Sequence, residues 1–235
     1  MSALRLEIAG GGGPRNLGVE ARTLIIAGWT GRDGRQREHH IRELESIGVK
    51  APSQMPVFYR LACDLLVQKE TIQVIGPDSS GEAEAVLMRF GGELWVGVGS
   101  DHTDRRLEAA SVTVAKQVCA KPIAAQVWRY AEVQDHWDEL VVRSWVCNGG
   151  ERELYQSGAL GCNLAVPELL DRFDGSGLAE GAVLFCGTLP VIGGLRAAGR
   201  FEAELEDPRL ERRLNLVYGV DVLATDAQER KVPSA

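Results

Sequence analysis

The sequence predicts an α+β fold built on a mostly antiparallel or mixed sheet. Three observations lead there: strand-like runs dominate, helical stretches are few, and the two do not alternate regularly. That pattern argues against a doubly wound parallel sheet. At 235 residues the chain is one large domain or two small ones, long enough to bury a substantial core. Its net charge of −7 gives no electrostatic case for a nucleic-acid partner. No apolar run approaches the roughly 20 residues of a membrane span, and the N-terminus lacks a basic start followed by an apolar core. The five cysteines are odd in number, widely spaced and free of Cys-x-x-Cys pairs, as in a cytoplasmic protein with reduced thiols.

Taken in order, residues 3–9 alternate as a strand, and Gly10 to Gly13 form a break. No Lys-Ser/Thr follows that glycine run, so it is not a phosphate loop. Residues 22–29 form a buried-type strand. From Gln36 the pattern turns helical, with Ile41, Leu44 and Ile47 on one side and Gly48 as the stop. His40 and Glu43 are neighbours on that helix, and a carboxylate beside an imidazole can make a general base. The same pair also fits an ordinary exposed helix face.

Residues 50–56 hold two prolines and read as an extended loop leading to Val57–Tyr59. Residues 60–68 read as helical, and 70–76 as a strand. A helix is expected over 104–118, with Leu107, Ala110, Val114 and Val118 along one side and Lys116 near its end. A loop and short strand over 121–130 precede a polar stretch, 132–139, that carries His136. Residues 137–156 read as two strands about an Asn-Gly-Gly turn, and Pro167–Phe173 as a short helix. Strands are expected at 181–187, 199–206 and 215–223, before a charged tail of ten residues.

The chain is organised around residues 79–106. Apolar runs flank Gly91-Gly92, the signature of a two-residue hairpin. A tight turn there sets Phe90 opposite Glu93, Glu84 opposite Gly99 and Glu82 opposite Asp101. Residues two apart share a face of a strand, so Glu82, Glu84 and Asp101 project to one side. Side chains that close repel unless a cation lies between them, and a divalent ion that prefers oxygen, Mg²⁺ or Mn²⁺, suits three carboxylates. An exposed hairpin with scattered acids is the alternative.

With these residues in order, the chain resembles the fumarylacetoacetate hydrolase superfamily over roughly residues 24–205. Four stretches carry the likeness. They are IIAGWTGRDGRQREHHIRELESIGVKAPSQMPVFY, GEAEAVLM, GSDHTDRR running to Lys116, and NGGERELYQSG with CGTLP. More narrowly, it looks like a bacterial branch of that superfamily known only as of unknown function. Departures are Ser100 in place of an Asn, and Gln117-Val118-Cys119 after Lys116, which leaves Lys121 as the fallback lysine.

The resemblance implies a mixed β-roll of several sheet layers with peripheral helices, usually a homodimer. It divides the chain into an N-terminal extension (1–23), a catalytic domain (24–225) and a tail (226–235). It implies Glu82, Glu84 and Asp101 as ligands of Mg²⁺ or Mn²⁺, and His40 with Glu43 as the dyad that activates water. Lys116 would be catalytic, and Arg105, Gln156 and Thr188 would bind substrate. The implied activity is hydrolysis of a carbon–carbon bond in a small oxo-carboxylic acid of acylpyruvate type. The alternatives are a keto-acid decarboxylase or tautomerase, and a non-catalytic small-acid-binding module.

Overall fold

The structure is a computed structural model that describes residues 1–9, 15–32 and 54–224. The first strands, β1 (Ser2–Ile8) and β2 (Arg15–Ala21), pair antiparallel, as do β3 (Thr23–Gly28) and β4 (Val57–Leu61). Next come β5 (Leu66–Val67), β6 (Thr71–Ile75), β7 (Ser79–Ser80), and the long pair β8 (Ala83–Phe90) and β9 (Glu93–Ser100). β10 (Thr103–Asp104), α1 (Arg105–Glu108), α2 (Val112–Gln117), β11 (Lys121–Pro122), β12 (Gln126–Arg129) and α3 (Tyr130–Val133) follow. The last part holds β13 (Val141–Asn148), β14 (Glu151–Ala159), α4 (Val166–Phe173), β15 (Ala182–Phe185), β16 (Arg200–Asp207) and β17 (Arg212–Leu223).

Two large sheets result. One has eight strands in the order β2-β1-β12-β9-β8-β15-β3-β4, and the other five in the order β14-β13-β16-β17-β6. Parallel and antiparallel pairs mix in both. This is the mixed, strand-dominated α+β architecture expected from the sequence. No helix among the described residues is long and apolar enough to cross a membrane.

The eight-stranded sheet is covered on both sides. Ala83, Ala85, Leu87, Val96 and Val98 face the five-stranded sheet and pack with Val142, Phe201, Leu205 and Leu216. Val86, Met88 and Trp95 face the other way, into a core with Leu6, Ile26, Val183 and Phe185. Strands buried on both faces read as continuous apolar runs, as β8 and β15 do.

The central hairpin has the register read from its turn: Phe90 opposes Glu93 and Glu84 opposes Gly99. Gly91 and Gly92 have φ of 64° and 74°, the left-handed pair that a two-residue turn matching strand twist requires. The Asn-Gly-Gly turn joins β13 to β14, with Asn148 opposite Glu151.

Three expectations need correction. Residues 60–68 are not a helix. β4 runs to Leu61, one 3₁₀ turn spans Cys63–Leu65, and Leu66 pairs with Lys121. Strand partners distant in sequence override the local pattern there. The helix expected over 104–118 is split into α1 and α2, each started by its own cap, Asp104 and Ser111. The apolar line also faces outward: Val114 is 48% and Val118 46% exposed, while Ala115, Lys116 and Cys119 are buried. Finally, β2 was not foreseen. Its Leu17, Val19 and Ala21 do alternate with the exposed Asn16, Gly18 and Glu20, and it pairs with β1 along its whole length.

Gly99 lies opposite Glu84, and a Cβ there would come within 2.6 Å of the Phe185 ring and 2.8 Å of Val86. Gly99→Ala is expected to destabilise the fold by about 1–3 kcal/mol through overpacking. A lowered urea midpoint with an unchanged slope checks this, and an unchanged midpoint would mean that the ring has room to move.

Candidate metal centre

The hairpin ends in a carboxylate cluster. Glu82 precedes β8, Glu84 lies in its first turn of pleat, and Asp101 follows β9, where the Asp101 amide donates to the Glu82 carbonyl at 2.9 Å. Each of the three offers an oxygen within 4.8 Å of the others. Glu84 and Asp101 are buried, and Glu82 is nearly so.

Cations from three later elements converge on them. Lys116 on α2 pairs with Asp101 Oδ2 and lies 3.5 Å from Glu82 Oε2. Lys121 on β11 reaches Asp101 Oδ1 at 3.1 Å and donates to the His102 carbonyl. Arg105 on α1 lies 3.2 Å from Glu82 Oε1, and donates to Glu108 Oε2 at 2.9 Å and Ser80 Oγ at 2.7 Å. Both lysines weighed from the sequence are therefore at the cluster.

Burial works against ionisation of Asp101, but the two lysine ammonium groups override it and hold the carboxyl at about 2. Glu84 has no such partner: burial, then the charges of Asp101 and Glu82, push its carboxyl well above the usual range. Among the described residues, its Oε2 accepts from the Gly187 amide at 2.7 Å. Burial opposes the charge on Lys116 as well, yet Asp101 and Glu82 raise it. Lys121 is lowered by burial and by the neighbouring Lys116.

Three hard oxygen donors within ligand distance of one another fit a divalent cation of the Mg²⁺ or Mn²⁺ class. The residues that would hold it are Glu82, Glu84 and Asp101.

The other residues singled out from the sequence separate into two groups. Gln156 and Thr188 are adjacent to the cluster: Gln156 accepts from the Ala83 amide at 2.9 Å, and Thr188 donates to the Ala83 carbonyl at 3.2 Å. His40 and Glu43 lie outside the described residues. The structure also gives roles to Ser100, noted from the sequence only as a departure, and to residues that the sequence did not single out. Ser100 accepts from the Glu82 amide at 3.2 Å and bonds Tyr218 at 2.8 Å. His102 bridges Tyr218 and Ser79, each at 2.9 Å. Burial, then Lys121 and Arg105, lower His102 to about 3, which keeps its imidazole neutral. Tyr59 presents its ring 5.8 Å from the Lys116 ammonium, beside Trp29, whose φ of 61° is rare for a bulky residue.

Residues 27–218 match the family described as protein of unknown function (DUF2848). The chain belongs to that family. No curated protein sequence matches this DUF2848 chain. Solved structures match its fold. A fumarylacetoacetate hydrolase family protein of yeast, ynq8, is 17% identical, with a TM-score of 0.63 over 86% of this chain and 94% of that one. A 2-keto-3-deoxyarabinonate dehydratase is 15% identical, with a TM-score of 0.65 over 88% and 76%. A 5-carboxymethyl-2-hydroxymuconate delta-isomerase from Mycobacterium smegmatis is 16% identical, with a TM-score of 0.62 over 91% and 88%. The DUF2848 chain thus has the fumarylacetoacetate hydrolase fold that its motifs suggested.

Asp101→Asn removes the charge that Lys116 and Lys121 share and is expected to cost about 3–5 kcal/mol at neutral pH. The folded carboxyl titrates at about 2, below its usual value near 4. Its contribution is therefore complete above about pH 4 and fades as pH falls toward 2. Urea unfolding of both proteins across that range should show the gap close on acidification, and a gap independent of pH would contradict the pairing.

Proposed function

We propose that the chain is a divalent-metal-dependent enzyme acting on a small oxo-carboxylic acid, in the first instance a hydrolase of a carbon–carbon bond. The observation that carries this reading is the convergence of Glu82, Glu84 and Asp101 within ligand distance of one another, ringed by cations. A bound Mg²⁺ or Mn²⁺ would supply Lewis acidity toward an oxygen-chelating substrate.

The charge count supports a carboxylate substrate. Four carboxylates (Glu82, Glu84, Asp101, Glu108) and three cations (Arg105, Lys116, Lys121) are joined here, for a net charge of −1 when all are ionised. A divalent ion turns that to +1, which a small carboxylate neutralises. Arg105 is the group for the substrate's carboxylate, since its guanidinium is held rigid by Ser80 and Glu108. Lys116 and Lys121 fix Asp101 and hold positive charge beside developing negative charge. Thr188 lends its hydroxyl as an acceptor, since its own proton is donated to Ala83. On the resemblance, His40 oriented by Glu43 takes the proton from the attacking water. A second copy of the chain completes the functional unit on the same ground, which sedimentation of the purified protein tests.

The structural neighbours support the breadth of this reading: a fumarylacetoacetate hydrolase family protein, a keto-acid dehydratase and a hydroxymuconate isomerase share the fold.

Metal-free protein is expected to gain melting temperature on adding millimolar Mn²⁺, and Glu82→Ala to lose that gain. Burial and the neighbouring acids raise the Glu84 carboxyl, so Mn²⁺ affinity is expected to rise with pH, which calorimetric titration at several pH values checks. No gain in the wild type would remove the metal from the reading.

With Mn²⁺ present, a panel of acylpyruvates and oxaloacetate should yield a substrate. For hydrolysis, His40→Ala is expected to lower turnover about 10²–10⁴-fold while the response to Mn²⁺ persists. Unchanged turnover would exclude the dyad and point to decarboxylation or tautomerisation instead.

A further inference from the structure

We propose that Gln156 is a positioning residue of the metal centre: it sets the spacing of Glu82 and Glu84 through the backbone between them. The proposal rests on the metal reading above.

Its side-chain amide is saturated by the protein. Oε1 accepts from the Ala83 amide at 2.9 Å and from Ser144 Oγ at 2.8 Å. Nε2 donates to Thr188 Oγ1 at 2.7 Å and to the Leu189 carbonyl at 2.8 Å. Two of these partners are backbone groups of fixed polarity, so the orientation of the amide is not interchangeable. Both of its N–H groups are spent, which leaves no donor to offer a substrate.

The local backbone shows how Gln156 comes to be there. Ser144 of β13 faces Gln156, but Trp145 faces Leu154, so Tyr155 is the extra residue of a β-bulge. A regular strand would send Tyr155 and Gln156 to opposite faces. Here both are fully buried. Bulges re-aim side chains in this way. This one points a polar residue of the five-stranded sheet at the first residue of β8 in the other sheet.

What Gln156 touches defines its task. Ala83 stands between the two glutamates, and its amide is held by Gln156 while its carbonyl is held by Thr188. Thr188 is in turn held by Gln156. The residue before Thr188 is Gly187, whose amide fixes Glu84. One amide side chain therefore fixes the strand that carries two ligands and the loop that orients one of them. Groups that orient metal ligands change affinity about 10- to 100-fold when lost.

The test is calorimetric titration of metal-free protein with Mn²⁺. Gln156→Leu is expected to weaken Mn²⁺ binding about 10-fold or more. Ser144→Ala keeps the glutamine but removes one of its holders, and should weaken binding by a smaller factor of about 5. Leu169→Ala, a buried residue of α4 away from the centre, should lower stability and leave affinity unchanged. This separates positioning from general loosening.

If Gln156→Leu does not fold, Ser144→Ala and Leu169→Ala decide the matter alone. Folded variants that bind Mn²⁺ as the wild type does would overturn the proposal. So would unchanged Mn²⁺ affinity with weakened oxalate binding to the Mn²⁺-loaded protein, which would assign Gln156 to substrate. A wild type that binds no Mn²⁺ would overturn the metal reading, and this inference with it.

Discussion

Carboxylates held within ligand distance of one another repel, and a dry surrounding strengthens the repulsion. The structure around the central hairpin follows from that constraint. Asp101 is fully buried and is met by two ammonium groups, while Glu82 is met by Arg105 and Lys116. These cations come from α1, α2 and β11, so three separate elements are pinned to one end of β8 and β9. The orientation of α2 shows which effect wins. Val114 and Val118 are already about half buried, so turning them inward would return about 1.5–3 kcal/mol for the pair. Withdrawing Lys116 would break its buried ion pairs with Asp101 and Glu82, at a cost of about 3–5 kcal/mol. The helix accordingly turns Lys116 inward and leaves the valines in solvent.

This balance explains what could be read in advance. The hairpin was legible because Gly91-Gly92 encodes its own geometry, and register then follows by counting. The three acids were legible for the same reason, since the period of a strand fixes the face of every residue. The face of α2 was not legible: its apolar spacing gave the wrong side, because the partner that decides the matter lies fifteen residues earlier in the chain. Lys121 was legible only as an alternative to Lys116, though both serve Asp101. Ser100, His102 and Tyr218 form a buried hydrogen-bonded chain behind Glu82, but nothing in their spacing links residue 218 to the hairpin. The bulge at Tyr155 was equally silent, as no glycine marks it. Local rules reached the hairpins, and pairings between distant segments were beyond them.

The centre belongs to neither sheet alone. The eight-stranded sheet supplies the acids, and the five-stranded sheet supplies Gln156 and Tyr218 to hold their backbone. Small residues of the hairpin make that approach feasible. A Cβ at Gly81 would lie 2.7 Å from both the Phe201 ring and the Tyr218 hydroxyl, so the chain passes there with only a hydrogen in place of a side chain. The site is thereby built at the contact between two layers, with its rigidity drawn from both.

The middle of the large sheet has a history implied by its strand order. β8 pairs on one side with its hairpin partner β9, and on the other with β15, which also pairs with β3. A nascent chain that has emerged only as far as β14 thus displays β3 and β8 with one long edge each unpaired. Both are strongly apolar strands. Exposed apolar edges recruit other strands, and closing a ring this long is slow because its entropy must be lost before any pairing returns it. The short segment Ala182–Phe185 is therefore the keystone of synthesis as well as of the sheet. Until it leaves the ribosome, both of those apolar edges stay open to pairing with the wrong strand.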